Sequence, residues 1–378
     1  MESRQIVVYA DRRPMPGVIE PGTHQTYRNP RVAVEVRLLG ELEAGAIRVA
    51  MAYAGLCGTD MHLMETDPAT GYTRCSAPVL IGPGGRVIGH EGVGRILSVG
   101  SRVEHLSPGQ IVTFESIIVC HHCDECRRGQ FNQCRHARLL GLETDGLFGS
   151  VVDVPAQLAH DVTALGSSDR ALRAAACVEP AAVAYVACQN TRMTGGDVVV
   201  IFGAGPIGLY AAMLSKGVFG ASRVHVVEPV HFRRDFASRW ADDVHDVEDF
   251  FRQPPSGVNV VIEASGVTSN VSRVFRHLGA NGRVVLLARS GESLVLSDVD
   301  HMITNAIQVA GSRGHLCGAF ATILNLCRSG RMELGDIVTR VADGPEALAG
   351  LLGSPKQVVA ENCKVLVRFY GGHDGNHL

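Results

Sequence analysis

Six consecutive residues, Cys57-Gly58-Thr59-Asp60-Met61-His62, put a soft metal ligand, a hydroxyl, a carboxylate and an imidazole into one glycine-hinged stretch. Such a set can hold a cation and move a proton if other segments add ligands and a cofactor. The plainer alternative is a core thiol beside a surface turn, because cysteine is among the most buried residue types. Downstream, Gly89-His90-Glu91-Gly92 sets an imidazole and a carboxylate between glycines. As an isolated pair it suits a polar strand end equally well. Glu179, followed by Pro180, lies inside an apolar, alanine-rich stretch. An isolated buried charge is costly there, so it either reaches a surface turn or faces a cation.

Two further patterns are more specific. Cys120, Cys123, Cys126 and Cys134 follow C-x2-C-x2-C-x7-C, four thiolates near enough to wrap one ion from a single loop. The ferredoxin run that begins the same way has a shorter last gap and a Pro after its fourth Cys. Here Arg135 follows, which favours a closed tetrahedral zinc site with Zn–S near ~2.3 Å and a structural role. The second pattern begins with the β-rich run Val198-Val199-Val200-Ile201-Phe202, which leads into Gly203-Ala204-Gly205-Pro206-Ile207-Gly208. Ile207, Tyr210, Ala211, Leu214 and Val218 then fall on one helical face, and Val224-His225-Val226-Val227 ends on Glu228. Strand, glycine turn, helix, strand and terminal acid form a dinucleotide-binding unit. The glycines let backbone N–H groups approach a pyrophosphate, and the acid takes the ribose hydroxyls. Glu228 favours NAD, since it would repel a 2′-phosphate, although His231, Arg233 and Arg234 nearby leave NADP possible.

The elements that must position these residues fall into two kinds. Residues 1–50 alternate as strands around Ile6, Val7, Val8 and Tyr9, then Val32, Val34, Val36 and Leu38, then 47–51. Further strand signals occupy 139–155, and helical character follows at 170–189. After Gly195-Gly196 the chain alternates strands (258–262, 283–287, 307–311) with helical stretches such as 271–278, as a doubly wound parallel sheet requires. An apolar helix at 320–327 precedes a last alternating strand, 363–369, that resembles the front half. The predicted domains are therefore 1–188 completed by 318–378, and 189–317.

The chain has 378 residues, 46% of them hydrophobic and 19% charged, with a net charge of −3. That balance suits a two-domain globular protein and gives no basic stripe for nucleic acid. No apolar run reaches membrane-span length, and the N-terminal stretch has no signal-peptide core. A cytoplasmic protein is expected, in which 11 cysteines serve metal or redox chemistry before disulfides.

Together these pieces resemble the zinc-dependent medium-chain alcohol and polyol dehydrogenases over nearly the whole chain. The match rests on Gly55-Leu56-Cys57-Gly58-Thr59-Asp60-Met61-His62, Gly89-His90-Glu91-Gly92-Val93-Gly94, the four-Cys loop, Val178-Glu179-Pro180 and the glycine turn. Glu-Pro at 179–180 looks like the sorbitol, glucose and threonine dehydrogenase branch. The resemblance implies an α/β protein in which a GroES-like, β-rich catalytic domain, built from both chain ends, meets a Rossmann domain. It implies two zinc ions per chain. Cys57 and His90 would bind the catalytic one, with Glu179 and Glu91 both candidates for the carboxylate ligand. Asp60 would orient the zinc-binding imidazole, Thr59 would take the substrate proton and His62 would relay it outward. Gly203, Gly205, Pro206, Ile207, Gly208, Glu228 and Arg233 would hold NAD. The substrate would be a small-molecule alcohol, and the assembly a homodimer or homotetramer.

Three departures stand out from that pattern. The segment before Cys57 is longer, with a hairpin or arm at 20–30; the loop 81–86 looks inserted; and Ala288-Arg289 replaces a usual glycine. Arg289 and Arg313 are expected to contact an anionic or polyhydroxylated substrate or the pyrophosphate. The rival readings are a zinc-free quinone or enoyl reductase, which would lack the ligand set, and a non-catalytic nucleotide- and zinc-binding protein.

Overall fold

Nearly every residue of the strand Ala46–Leu56 is buried, because sheet neighbours take both of its edges. The computed structural model describes residues 1–369. Gly92–Val99 pairs antiparallel along one edge of that strand, and Val151–Pro155 and Lys364–Arg368 share the other. Ile111–Phe114 and Ala159–Asp161 extend the sheet on one side, Val338–Asp343 on the other. The inserted Lys364–Arg368 comes from the far end of the chain, as its alternating pattern suggested.

A second, three-stranded sheet accounts for the long N-terminal segment. Glu2–Arg12 pairs with Tyr27–Leu38 as a long antiparallel hairpin, with a single turn, Thr23–Gln25, in its loop. The 81–86 segment forms a tight turn at Gly82 and Gly85 and joins this sheet through Arg86–Val87, where Val87 faces Val7. Arg86 donates to Asp145 at 2.7 Å, which anchors the turn.

These sheets belong to one compact unit, made of Met1–Glu179, Glu333–Val358 and, of the described residues beyond those, 364–369. The other unit takes Pro180–Met332 and Val359–Cys363. It is wider at both ends than the 189–317 read from the sequence. Residues 318–332 fall in it because the helix Ala319–Arg328 buries Phe320, Ile323 and Leu324 there.

The second unit is a six-stranded parallel sheet in the order Asp243–His245, Arg223–Val227, Val198–Phe202, Val258–Glu263, Leu278–Leu286, Gln308–Gly311. That is the doubly wound order with its switch point beside the first strand. Phe202, Val227, Phe250, Val261 and Val274 form its buried core. One expected boundary moves by a residue: the helix Thr268–Val274 runs on as a 3-10 turn, Phe275–His277, and Leu278 opens a strand by pairing with Val258.

Candidate active site

Strand register brings the first group of donors together. Ala54 faces Gly92 across the antiparallel pair, so the residues just after one strand lie beside those just before the other. Gly55 donates its N–H to the Glu91 carbonyl at 2.8 Å. Gly89, at φ +91°, turns the chain into His90, and a Cβ there would lie 2.3 Å from the Phe148 ring. Only glycine meets both demands. On the other side Cys57 caps the helix Gly58–Met64, and its backbone N–H donates to Asp60 Oδ2 at 3.0 Å.

The result is a compact donor set. Ligand atoms of Cys57, His90 and Glu91 all lie within 4.8 Å of one another, with His90 and Glu91 buried and Cys57 half-buried. Thr59 Oγ1 lies 3.9 Å from Cys57 Sγ. Asp60 is fully buried, and its Oδ1 faces His90 Nδ1 at 3.8 Å, where neither atom has a hydrogen-bond partner. Glu179 stands outside the three-residue set, on the first turn of Val178–Asn190, and accepts a hydrogen bond from Ser116 Oγ at 2.9 Å. His62 is exposed on the same helix as Thr59.

The electrostatics explain why a cation fits. Burial raises the Cys57 thiol and the Asp60 carboxyl above their ordinary values. Burial, helped by the charge of Glu91, pushes Glu179 up to about 7. Burial opposes a charged His90, yet Cys57 and Asp60 outweigh it and hold the imidazole well above its usual range. Several buried acids thus gather whatever positive charge is available. One sulfur, one imidazole and carboxylates form a set suited to a zinc that keeps an open position.

The second donor group is the loop. Cys120, Cys123, Cys126 and Cys134 have their four sulfurs within 4.8 Å of one another. Backbone N–H groups of Cys120 and Cys123 point at sulfurs of Cys134 and Cys120, each at 3.4 Å. Burial would raise Cys120, but amide donors from His122 and Cys123 and the neighbouring sulfurs bring it to about 6. Burial among those same sulfurs pushes Cys126 to about 12. All four can ionise together only around a cation, and four thiolates fill a tetrahedral shell.

In the second unit, Gly205 caps the helix Pro206–Gly217 with Pro206 at its first position. A Cβ on Gly208 would lie 1.9 Å from the Gly203 carbonyl, so the turn closes only around glycine. Glu228 is buried and accepts from Ala204 N at 2.7 Å and from Val230 N at 2.9 Å. Arg233 reaches past Gly205 to the Asn362 carbonyl at 2.9 Å, and burial lowers its pKa. Arg234 is occupied by the carbonyls of Glu228 and Pro229 and by Asp246.

Comparison with known proteins agrees with both halves. Residues 43–164 match the alcohol dehydrogenase GroES-like domain, and residues 206–329 match the zinc-binding dehydrogenase model. The chain is 30% identical over 328 residues to a 2-dehydro-3-deoxy-L-galactonate 5-dehydrogenase of Pseudoalteromonas atlantica, covering 84% of this chain and 91% of that one. The chain belongs to the zinc-dependent medium-chain alcohol and polyol dehydrogenases. It is an enzyme that oxidises an alcohol with a nicotinamide cofactor. An L-threonine 3-dehydrogenase of Pyrococcus horikoshii is 30% identical over 315 residues, covering 79% of this chain and 85% of its own. A Thermotoga maritima scyllo-inosose 3-dehydrogenase is 30% identical over 352 residues, covering 85% and 86%. A solved Thermotoga maritima structure described as an alcohol dehydrogenase superposes with TM-score 0.85 at 28% identity, over 97% of this chain and 100% of that one.

Within this dehydrogenase two other expected residues share one sheet edge. Arg289 is exposed and Arg313 half-buried. They follow the adjacent strands Leu278–Leu286 and Gln308–Gly311, where Leu286 pairs with Gly311. Two residues of the site escaped sequence reading. Ser116 carried no signal. Lys364 did: it is a cation in an apolar strand, and it is fully buried against Glu91. No single helix among the described residues is long and apolar enough to cross a membrane.

Proposed function

We propose that this dehydrogenase oxidises a secondary alcohol within a polyol, sugar, cyclitol or amino alcohol, using NAD in preference to NADP and two zinc ions per chain. The observation that carries the reading is the buried set of Cys57, His90 and Glu91 beside Thr59 and Asp60. Cys57 and His90 hold the catalytic zinc, with Glu91 or Glu179 as the carboxylate ligand, and the four-Cys loop holds the structural one. Bound in these places, zinc acidifies the alcohol hydroxyl as a Lewis acid and the nicotinamide accepts the hydride. Thr59 Oγ1 receives the hydroxyl proton and gives up its own. Exposed His62 passes that proton to solvent. Asp60, facing His90 Nδ1, fixes the tautomer that leaves Nε2 free for the metal.

Gly203, Gly205, Pro206, Ile207 and Gly208 form the pyrophosphate turn, with Arg233 beside it, and Glu228 takes the adenosine ribose hydroxyls. A 2′-phosphate would meet the Glu228 carboxylate, and Arg234 is committed elsewhere. Arg289 and Arg313, at the same edge, suit an anionic or polyhydroxylated ligand. The relatives' names cover a sugar acid, an amino acid and a cyclitol, which supports that substrate range. A homodimer or homotetramer is supported by exposed Val295, Val299 and Ile303 near the edge strand Gln308–Gly311. Eleven cysteines, four of them grouped as metal ligands, suit the reducing cytoplasm.

The test is a panel of polyols, sugars, aminocyclitols and simple alcohols, followed by NADH formation on zinc-loaded protein. We expect turnover of a secondary alcohol in a polyhydroxylated or amino-substituted compound, and kcat/KM at least about tenfold higher with NAD than NADP. Activity on simple primary alcohols alone would sink the substrate class. Equal use of both cofactors would sink the role given to Glu228.

A further inference from the structure

Lys364 has no solvent exposure, and its ammonium group lies among the residues of the donor set. Register explains its position. Val365 faces Leu56 across the last strand pair, so Lys364 arrives beside Cys57. Its Nζ donates to the Leu56 carbonyl at 3.1 Å and pairs with Glu91 Oε2. The space for this pair is made by Gly55, where a Cβ would lie 2.6 Å from Glu91 Oε2 and 2.8 Å from Lys364 Nζ. The same carboxylate belongs to the ligand cluster with Cys57 and His90. Glu91 therefore has two claimants, a fixed ammonium and the metal.

From this competition we infer that Lys364 is a positioning residue that restrains Glu91, so that the carboxylate does not close the metal position an alcohol must enter. The inference rests on the metal reading of Cys57 and His90. A buried ammonium needs its anion, because leaving either charge alone in a low dielectric is strongly unfavourable. One Glu91 oxygen is thus committed to Lys364, while Glu179 is held separately by Ser116. Removing the ammonium does two things with the same sign. It frees Glu91 to give both oxygens to the ion, and it makes the pocket more negative. Zinc then binds more tightly, and the alcohol meets a filled coordination shell.

The test follows zinc release from the full-length, fully loaded protein into an excess of chelator with a zinc-sensitive dye. The phase belonging to this site is the one that disappears in His90→Ala. Lys364→Met is expected to slow that phase roughly tenfold or more, on the scale of other residues that support metal ligands. Its kcat is expected to fall, and Lys364→Arg to restore both values toward wild type. Lys364→Gln, which keeps a polar group in the strand, is expected to act in the same direction should the methionine variant fold poorly. In a Glu91→Gln background only the change in pocket charge remains, so removing the lysine should slow zinc release much less than it does beside an intact Glu91. Unchanged or faster release in both uncharged variants overturns the inference, as does an equal effect in the Glu91→Gln background. Absence of any His90-dependent phase in the wild type overturns the metal reading itself, and the inference with it.

Discussion

The sulfurs of Cys120, Cys123, Cys126 and Cys134 come from one loop, whereas Cys57, His90 and Glu91 come from two strand ends set side by side by register. The loop needs little beyond its own chain, and its four like ligands leave no room for a substrate. The other group needs a sheet, a glycine turn at Gly89 and a buried lysine from the last strand. Its mixed donors lie beside the Thr59 hydroxyl, 3.9 Å from the Cys57 sulfur. On the proposed reading the local site pins structure, while the site assembled from distant strands keeps a position open for chemistry.

The sharpest way to break this comparison is to remove one ligand from each group. Cys57→Ser or His90→Ala should lower kcat/KM at least about 10³-fold, given the several kcal/mol that a Lewis acid supplies. Zinc content should fall by one per chain in metal analysis, with the melting temperature nearly unchanged. Next in size, Thr59→Val should reduce kcat about 100-fold with zinc content intact, the scale of a lost proton-transfer group. Retained kcat would move the proton path elsewhere. Cys123→Ser should act on stability instead, lowering the melting temperature by roughly 10 °C as the loop loses its ion. If that variant kept its melting temperature but lost activity, the division of labour between the two sites would be wrong.

The smallest effect concerns acid. His90 is held well above its usual pKa and Glu179 is pushed up to about 7, so both take up protons at a higher pH than the free groups do. In the loop burial pushes Cys126 to about 12, while Cys120, at about 6, stays ionised to lower pH and keeps hold of the ion. Protons compete with metal for these atoms. Zinc should therefore leave the Cys57 site at a higher pH than the loop, read as two steps of release in an acid titration with a zinc dye. One step, or the reverse order, would count against the contrast.

Legibility in the sequence followed the same line. The four-Cys loop and the run from Val198 to Glu228 were readable because each is local: spacing alone brings the groups together. Cys57, His90 and Glu91 were nameable as ligands only through the resemblance, since their closeness depends on the pairing of Ala54 with Gly92. Lys364 was passed over because its partner lies 273 residues away and no periodicity links them. The helical stretch expected at 271–278 holds to His277 and loses only Leu278, which a strand partner at Val258 claims, a tertiary effect. Ala319–Arg328 was placed with the returning segment because its apolar face does not say which core it enters.

The strand Lys364–Arg368 also has a consequence for biosynthesis. As the chain leaves the ribosome, the cysteine loop can capture its ion as soon as Cys134 has emerged. The edge of Ala46–Leu56 that Lys364–Arg368 will cover stays bare until that strand, far along the chain, has been made. During that interval the nascent protein carries an unpaired strand edge, the kind of surface that invites aggregation. On the proposed reading Cys57, next to that edge, is a metal ligand, so the site is complete only once Lys364–Arg368 has been added.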